Sequence, residues 1–244
     1  MRATALPAIA CLLVTLSCAD DREPDRRDVG PEIDFALTPP GVGDGAQPRD
    51  GIAAVLLIDV SGSMDDEIRG EGRKIVLARR AALDLVKQFD AYADAHPAEP
   101  VLIGLFEFSA PGESREVLPL SAPDVEKAEA ALARLRAHGG TAIGEAMIGG
   151  KKALDRSGLS RRHLLVVTDG ENTDGFAPGD VMTALGKRPE AERPSVYFVA
   201  FDIAASRFDG VRNAGGLVLE AANATELNRT LDFLLNGKIL VEGP

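Results

Sequence analysis

Five oxygen-bearing side chains in three distant segments of this chain could bind one metal ion. They are Asp59, Ser61 and Ser63 in the first segment, Thr141 in the second and Asp169 in the third. Two carboxylates and three hydroxyls are hard ligands, which suit Mg²⁺ or a similar cation far better than zinc. The residue types therefore indicate, as a first hypothesis, a site for a hard divalent cation.

These segments lie where secondary-structure elements are expected to end or begin. Asp59 directly follows the apolar run 53–58, and Asp169 directly follows residues 164–168. Apolar runs of this length are typical of strands buried on both faces of a parallel sheet. Thr141 stands at the opening of a predicted helix. Because open α/β sheets bind ligands beyond the carboxyl ends of their strands, we expect the three segments to meet there.

The set of residues resembles the metal-ion-dependent adhesion site of the von Willebrand factor A (VWA) family. The family motif D-x-S-x-S matches Asp59, Ser61 and Ser63, its isolated threonine matches Thr141, and its final aspartate matches Asp169. A lone D-x-S-x-S is a weak signal, whereas three parts in the family's order are a strong one. Within the site the sequence shows no departure from the family pattern.

The resemblance covers residues 51–241 and carries expectations about fold and function. It implies a Rossmann-like six-stranded sheet with one antiparallel edge strand, which we assign to residues 115–120. It also implies that one or both aspartates act partly through water, so that the cation keeps one open position. A carboxylate from an Asp or Glu of a partner protein could fill that position as a charge-assisted contact.

Ordinary turn and cap chemistry is the alternative for each segment taken singly. Ser63 precedes Asp65, Asp66 and Glu67, and this pattern could cap a helix without any metal. Thr141 could likewise be a plain helix cap after two glycines. The sequence leaves these alternatives open.

Apolar runs and amphipathic patterns alternate along the chain from residue 52 onward. Strands are predicted at 53–60, 101–109, 115–120, 163–168, 196–203 and 217–220, and helices at 122–137, 142–155, 180–185 and 225–235, with a long helix that ends before His96. This alternation predicts an α/β fold, an open and mostly parallel sheet with helices on both faces.

The N-terminal residues 1–18 resemble a bacterial lipoprotein signal. Arg2 precedes the apolar stretch 5–16, which is too short to span a membrane. Cys18 would become the acylated first residue of the mature chain, although the leucine stands two residues before it and not the usual three. The alternative is cleavage after Ala19, which would give a soluble periplasmic or secreted protein.

Residues 19–50 are predicted to be a disordered tether between this signal and the VWA domain at 51–241. The stretch is rich in Pro, Asp, Arg and Gly and poor in large apolar side chains. Its small apolar set, Ile33, Phe35 and Leu37, could nevertheless dock on the domain.

Composition and missing motifs exclude several other functions. A formal net charge of −11 argues against nucleic acid as a partner. His96, His138 and His163 have no zinc spacing and are expected to be structural or surface residues. The sequence lacks the G-x-S-x-G, G-x-x-x-x-G-K-[ST] and G-x-G-x-x-G motifs. No catalytic residue is predicted, and the chain is expected not to be an enzyme.

The sequence as a whole predicts an exported, lipid-anchored protein of the bacterial cell envelope. It would bind a partner protein through Mg²⁺, or Mn²⁺ or Ca²⁺, held at the adhesion-type site. A metal-dependent hydrolase is one alternative, because an open metal position can activate water. A structural module with a fold-stabilising metal is the other.

Overall fold

A computed structural model describes residues 31–37, 48–112 and 114–242. The helices, in chain order, are α1 (Pro31–Leu37), α2 (Lys74–Ala95), α3 (Val125–Leu132), α4 (Ile143–Ser157), α5 (Pro178–Gly186), α6 (Asp209–Asn213) and α7 (Ala224–Leu234). The strands are β1 (Arg49–Asp59), β2 (Glu67–Ile68), β3 (Gly72–Arg73), β4 (Val101–Phe108), β5 (Arg115–Ser121), β6 (Leu159–Thr168), β7 (Ser195–Phe201) and β8 (Leu217–Ala221).

One six-stranded sheet organises the molecule, in the order β5-β4-β1-β6-β7-β8. All neighbouring strands are parallel except β4 and β5, which pair antiparallel at the edge. The predicted α/β fold class is therefore confirmed, and so is the position of the antiparallel edge strand. From β1 the chain first adds β4 and β5 on one side of the sheet and then β6, β7 and β8 on the other. The topological switch point therefore lies at β1, between β4 and β6.

The two faces of the sheet are both covered by helices. Successive side chains of a strand point to opposite faces, so Leu56 and Ile58 pack against α2, α3 and α7. Val55 and Leu57 pack on the other face with α1, α4, α5 and α6. Residues 52–58 of β1 are buried on both faces, and their sequence is accordingly a continuous apolar run with no polar alternation.

Helix α3 is shorter than the predicted helix at 122–137. Asp124 caps its first turn by accepting a hydrogen bond from Lys127 N at 2.9 Å, so it starts after residue 122. After Leu132 the chain leaves the helix, and His138 N donates to Val60 O at 2.6 Å. This hydrogen bond places the residues after His138 at the carboxyl end of β1.

Residues 31–37 depart from the tether predicted at 19–50. They form α1, whose Ile33 and Leu37 are buried against the cluster on the α4 and α5 face. The two side chains are four residues apart, so one helical turn brings both to the same face. Their burial offsets the entropy lost on ordering the segment. Cys18 and the predicted signal lie outside the described residues, within which no helix is long and apolar enough to cross a membrane.

His163 is the buried member of the three histidines. Its ring lies near the ring of Tyr197, and neither ring nitrogen has a hydrogen-bond partner among the described residues. Among the described carboxylates, Oε2 of Glu242 lies 3.6 Å from Nδ1, too far for a hydrogen bond. Burial, with a smaller contribution from the charge of Arg161, lowers the pKa of His163 to about 4.

The neutral state of His163 predicts a loss of stability in acid. The unfolded chain takes up this proton near pH 6.5, whereas the folded chain stays neutral until about pH 4. The free energy of unfolding should therefore fall between these pH values, by roughly 2–3 kcal/mol from this residue. In H163F this contribution should be absent. Urea unfolding at pH 7 and pH 4.5 would measure the free energy of unfolding of both proteins. The exposed His96 offers the control, since H96Q should keep the wild-type pH dependence.

Candidate metal centre

The carboxylate of Asp59 is buried at the carboxyl end of the central strand. Its Oδ1 accepts a hydrogen bond from Ser61 N at 2.7 Å, and its Oδ2 accepts one from Thr168 Oγ1 at 2.5 Å. Burial raises the pKa of Asp59 to about 6, although the hydrogen bonds from Thr168 and Ser61 act in the opposite direction. Each oxygen keeps a second lone pair that could bind a cation.

The two serines connect Asp59 to the aspartate of the neighbouring strand. Ser61 Oγ and Ser63 Oγ lie 3.2 Å apart, and Ser63 Oγ donates to Asp169 Oδ1 at 2.8 Å. Ser63 lies in a short 3-10 helix, Gly62–Asp65, which Ser61 directly precedes, and α2 begins only at Lys74. Ser63 therefore does not cap a helix, and the cap alternative for the first segment is wrong.

Backbone hydrogen bonds hold the segment of Thr141 at the same edge of the sheet. Gly62 N donates to Gly139 O at 3.1 Å, and Ala142 N donates to Ser109 O at 2.6 Å. The loop is thus attached to the turn after β1 and to the end of β4. Thr141 itself is buried.

The start of α4 is capped by a residue other than Thr141. Asn172 Oδ1 accepts a hydrogen bond from Ile143 N at 2.8 Å, and the cap residue Ala142 contributes no side-chain bond. Thr141 N donates to Thr173 Oγ1 at 2.9 Å, so a backbone contact positions the residue while its hydroxyl caps nothing in α4. The cap alternative for the second segment is also wrong.

Gly170 marks the point where the three segments meet. A methyl group placed on its Cα would lie 3.4 Å from Thr141 Oγ1 and 3.9 Å from Ser63 Oγ. Gly170 directly follows Asp169, so both hydroxyls face the backbone next to that carboxylate. The structure thus gathers all five residues of the predicted site at one edge of the sheet, beyond β1 and β6.

The chemistry of the gathered side chains fits a hard divalent cation. The donor set comprises two carboxylates and three hydroxyls, all oxygen, and the hydroxyls are neutral. Among the described residues, no group of three or more His, Cys, Asp or Glu side chains is placed to hold a metal ion. A cation bound here would therefore depend on the serine and threonine oxygens as well as on Asp59 and Asp169.

Two side chains that support the site were not predicted from the sequence. Thr168 orients Asp59 by a hydrogen bond. The only sequence signal for this role of Thr168 is its position at the end of a predicted strand, next to Asp169. Lys74 Nζ lies 3.0 Å from Asp169 Oδ2 and 2.9 Å from Asp202 Oδ2. Burial acts to lower the pKa of Lys74, but the hydrogen bonds to Asp202 and Asp169 raise it overall, so the ammonium stays charged. No local pattern in the sequence signals this role.

Similarity to known proteins covers the segment that contains the site. Residues 54–171 match the family described as von Willebrand factor type A domain. The human inter-alpha-trypsin inhibitor heavy chain H4 is 34% identical over 128 residues, which are 50% of this chain and 12% of that protein. All five site residues lie within 54–171.

Solved structures share the fold at low sequence identity. The PilB minor pilin from Streptococcus sanguinis superimposes with a TM-score of 0.62 at 15% identity, over 82% of this chain and 65% of that chain. The pilus adhesin SpaC from Lactobacillus rhamnosus GG gives a TM-score of 0.59 at 16% identity, over 81% of this chain and 32% of that one. This chain therefore spans 12% of heavy chain H4, 65% of the pilin chain and 32% of the adhesin chain.

Replacement of Thr168 by Val should destabilise the fold through Asp59. The variant keeps the shape of the side chain but removes the donor to a buried carboxylate oxygen, which costs about 1–3 kcal/mol. Urea unfolding in EDTA would measure the loss. T183V is the matched control, because the hydroxyl of Thr183 donates only to the carbonyl of Gly179 in its own helix. Equal losses in the two variants would contradict the role given to Thr168.

Proposed function

Because the chain contains a von Willebrand factor type A domain, we propose that it is a recognition protein that binds another protein through a divalent cation. The cation would be Mg²⁺, or Mn²⁺ or Ca²⁺, held by Asp59, Ser61, Ser63, Thr141 and Asp169. The observation that carries this proposal is the convergence of those five side chains, from three distant segments, at one edge of the sheet. The role is binding and not catalysis.

Charge favours an acidic group as the contact that the partner makes. The protein ligands bring two negative charges, from Asp59 and Asp169, and the ammonium of Lys74 already shares the second carboxylate. When bound, a divalent cation supplies a position where a carboxylate of the partner can coordinate. In this partly buried place such a contact is a strong one.

The known relatives of the fold fit an interaction role. The similar structures include a minor pilin and a pilus adhesin. We propose the cell envelope as the place of action, with export directed by residues 1–18. Both the partner and the location belong to the proposal.

Metal binding should stabilise the folded chain. A ligand that binds only the folded state adds about 2.7 kcal/mol at a hundredfold excess over its Kd. The melting temperature of the full chain should therefore rise with Mg²⁺ or Mn²⁺, and D59A should abolish the rise. D84A, which changes an exposed aspartate on α2, should keep it. The same melting temperature in saturating metal and in EDTA would exclude the site.

Capture of a partner should require both the metal and the hydroxyl of Thr141. The immobilised full chain would be incubated with a cell-envelope extract in Mg²⁺ or in EDTA, and the bound proteins quantified by mass spectrometry. T141A should lose the Mg²⁺-dependent proteins, whereas T141S, which retains a hydroxyl, should keep them. The backbone contacts of Thr141 with Thr173 remain in both variants, so folding should change little. Normal capture by T141A would contradict the adhesion-type mechanism.

We propose in addition that Cys18 becomes the acylated N-terminus of the mature protein. Two or more acyl chains anchor a protein stably, whereas one binds only marginally. Intact-mass spectrometry of the membrane fraction should find a mature chain that starts at di- or triacylated Cys18, and C18S should remove it from that fraction. A mature chain that starts at unmodified Asp20 would instead support cleavage after Ala19.

A further inference from the structure

Lys74 occupies an unusual position for a charged side chain. It is the first residue of α2, and only 9% of its side chain is exposed. Burial of an ammonium is costly, and the positive end of a helix dipole disfavours a cation at this position. The carboxylates of Asp169 and Asp202, both within 3.0 Å of Nζ, compensate for these costs.

The contact with Lys74 divides the two oxygens of Asp169 between different tasks. Oδ1 accepts the hydrogen bond from Ser63 and faces the proposed metal site, whereas Oδ2 accepts the hydrogen bond from Lys74. The carboxylate is fully buried, so it has little freedom to turn. The ammonium 3.0 Å from Oδ2 repels a second cation, so Asp169 can offer the cation Oδ1, directly or through water, but not Oδ2.

Asp202 forms the second ion pair of Lys74, at 2.9 Å. It follows β7 in the left-handed region, with φ of 56°, which is uncommon for a residue other than glycine. Its backbone N donates to Ala221 O at 2.8 Å, which fixes this conformation beside the end of β8. The carboxylate of Asp202 is part-exposed, whereas the ammonium of Lys74 that it contacts is buried.

We propose that Lys74 is a positioning residue that restricts Asp169 to one oxygen and so keeps a coordination position open for the partner. Asp202 also pairs with Lys74, so it competes with Asp169 for the ammonium and limits how strongly Lys74 holds Asp169. The inference rests on the proposed metal-binding function and adds to it the residues that weaken the hold of the protein on its cation. A looser hold leaves the cation less neutralised and more attractive to an incoming carboxylate.

Titration of the full chain with Mn²⁺ tests the proposal without a partner. Calorimetry gives the Kd, and water-proton relaxation reports how many exchangeable waters remain on the bound ion. In K74M the ammonium beside Oδ2 of Asp169 is lost, so this oxygen also becomes available to the ion, and Mn²⁺ should bind about tenfold more tightly. The bound ion should also lose coordinated water. K74R, which retains the charge and the donors, should restore the wild-type relaxation.

The role of Asp202 is tested by a double-mutant cycle. D202N should weaken Mn²⁺ binding in the wild-type background and have little effect in the K74M background, because Asp202 acts through Lys74. An equal weakening in both backgrounds would overturn this link. K87M and D84N, which change an exposed pair of the same residue types on α2, should leave the affinity unchanged.

The outcomes separate this inference from the function on which it rests. If wild-type protein binds Mn²⁺ but K74M binds with equal or lower affinity and unchanged relaxation, the positioning role of Lys74 is wrong and the metal site stands. If wild-type protein binds no Mn²⁺, the proposed function fails and this inference fails with it.

Discussion

Burial of the Asp59 carboxylate at the end of the central strand is the constraint on which the rest of the site depends. A buried charge is tolerated only when it is hydrogen-bonded or paired. The donors come from Ser61, in the turn that follows, and from Thr168, on the adjacent strand. Since β1 and β6 are parallel and Ile58 pairs with Val167, Thr168 stands beside Asp59. A shift of register by one residue would turn its hydroxyl to the other face.

The loops around the Asp59 carboxylate are likewise held by hydrogen bonds. The turn after β1, the loop before α4 and the loop after β6 bond to one another through backbone groups and through side chains of Thr173 and Asn172. Polar atoms at this edge of the sheet are thereby satisfied by each other. The hydroxyls of Ser61 and Ser63 are already oriented, since they contact each other and Ser63 donates to Asp169, so a cation at the proposed site would need to order little on binding.

Charge is distributed unevenly between the chain and its proposed binding site. The chain as a whole carries a formal charge of −11, whereas a buried lysine offsets one of the two aspartates at the site. An acidic partner would meet general repulsion at long range, which salt screens. A direct contact between its carboxylate and a cation acts at short range and would offset that repulsion. Under the proposed function, such a surface would favour a partner that presents one acidic residue in otherwise neutral or basic surroundings.

Local sequence determined the order of the six strands of the main sheet, the order of the longer helices that connect them, and the positions of the five candidate ligands. Apolar runs, helical spacing and strand-end aspartates are short-range signals, and each can be read within about ten residues. The sequence suggested that Ile33 and Leu37 could dock, but the helical form of α1, the early end of α3 and the support from Thr168 and Lys74 could not be read in this way. Thr168 and Asp59 are 109 residues apart, and Lys74 and Asp169 are 95 apart. Only the folded sheet brings such pairs into hydrogen-bond distance, because contact between them depends on strand order and register and not on the residues around either one.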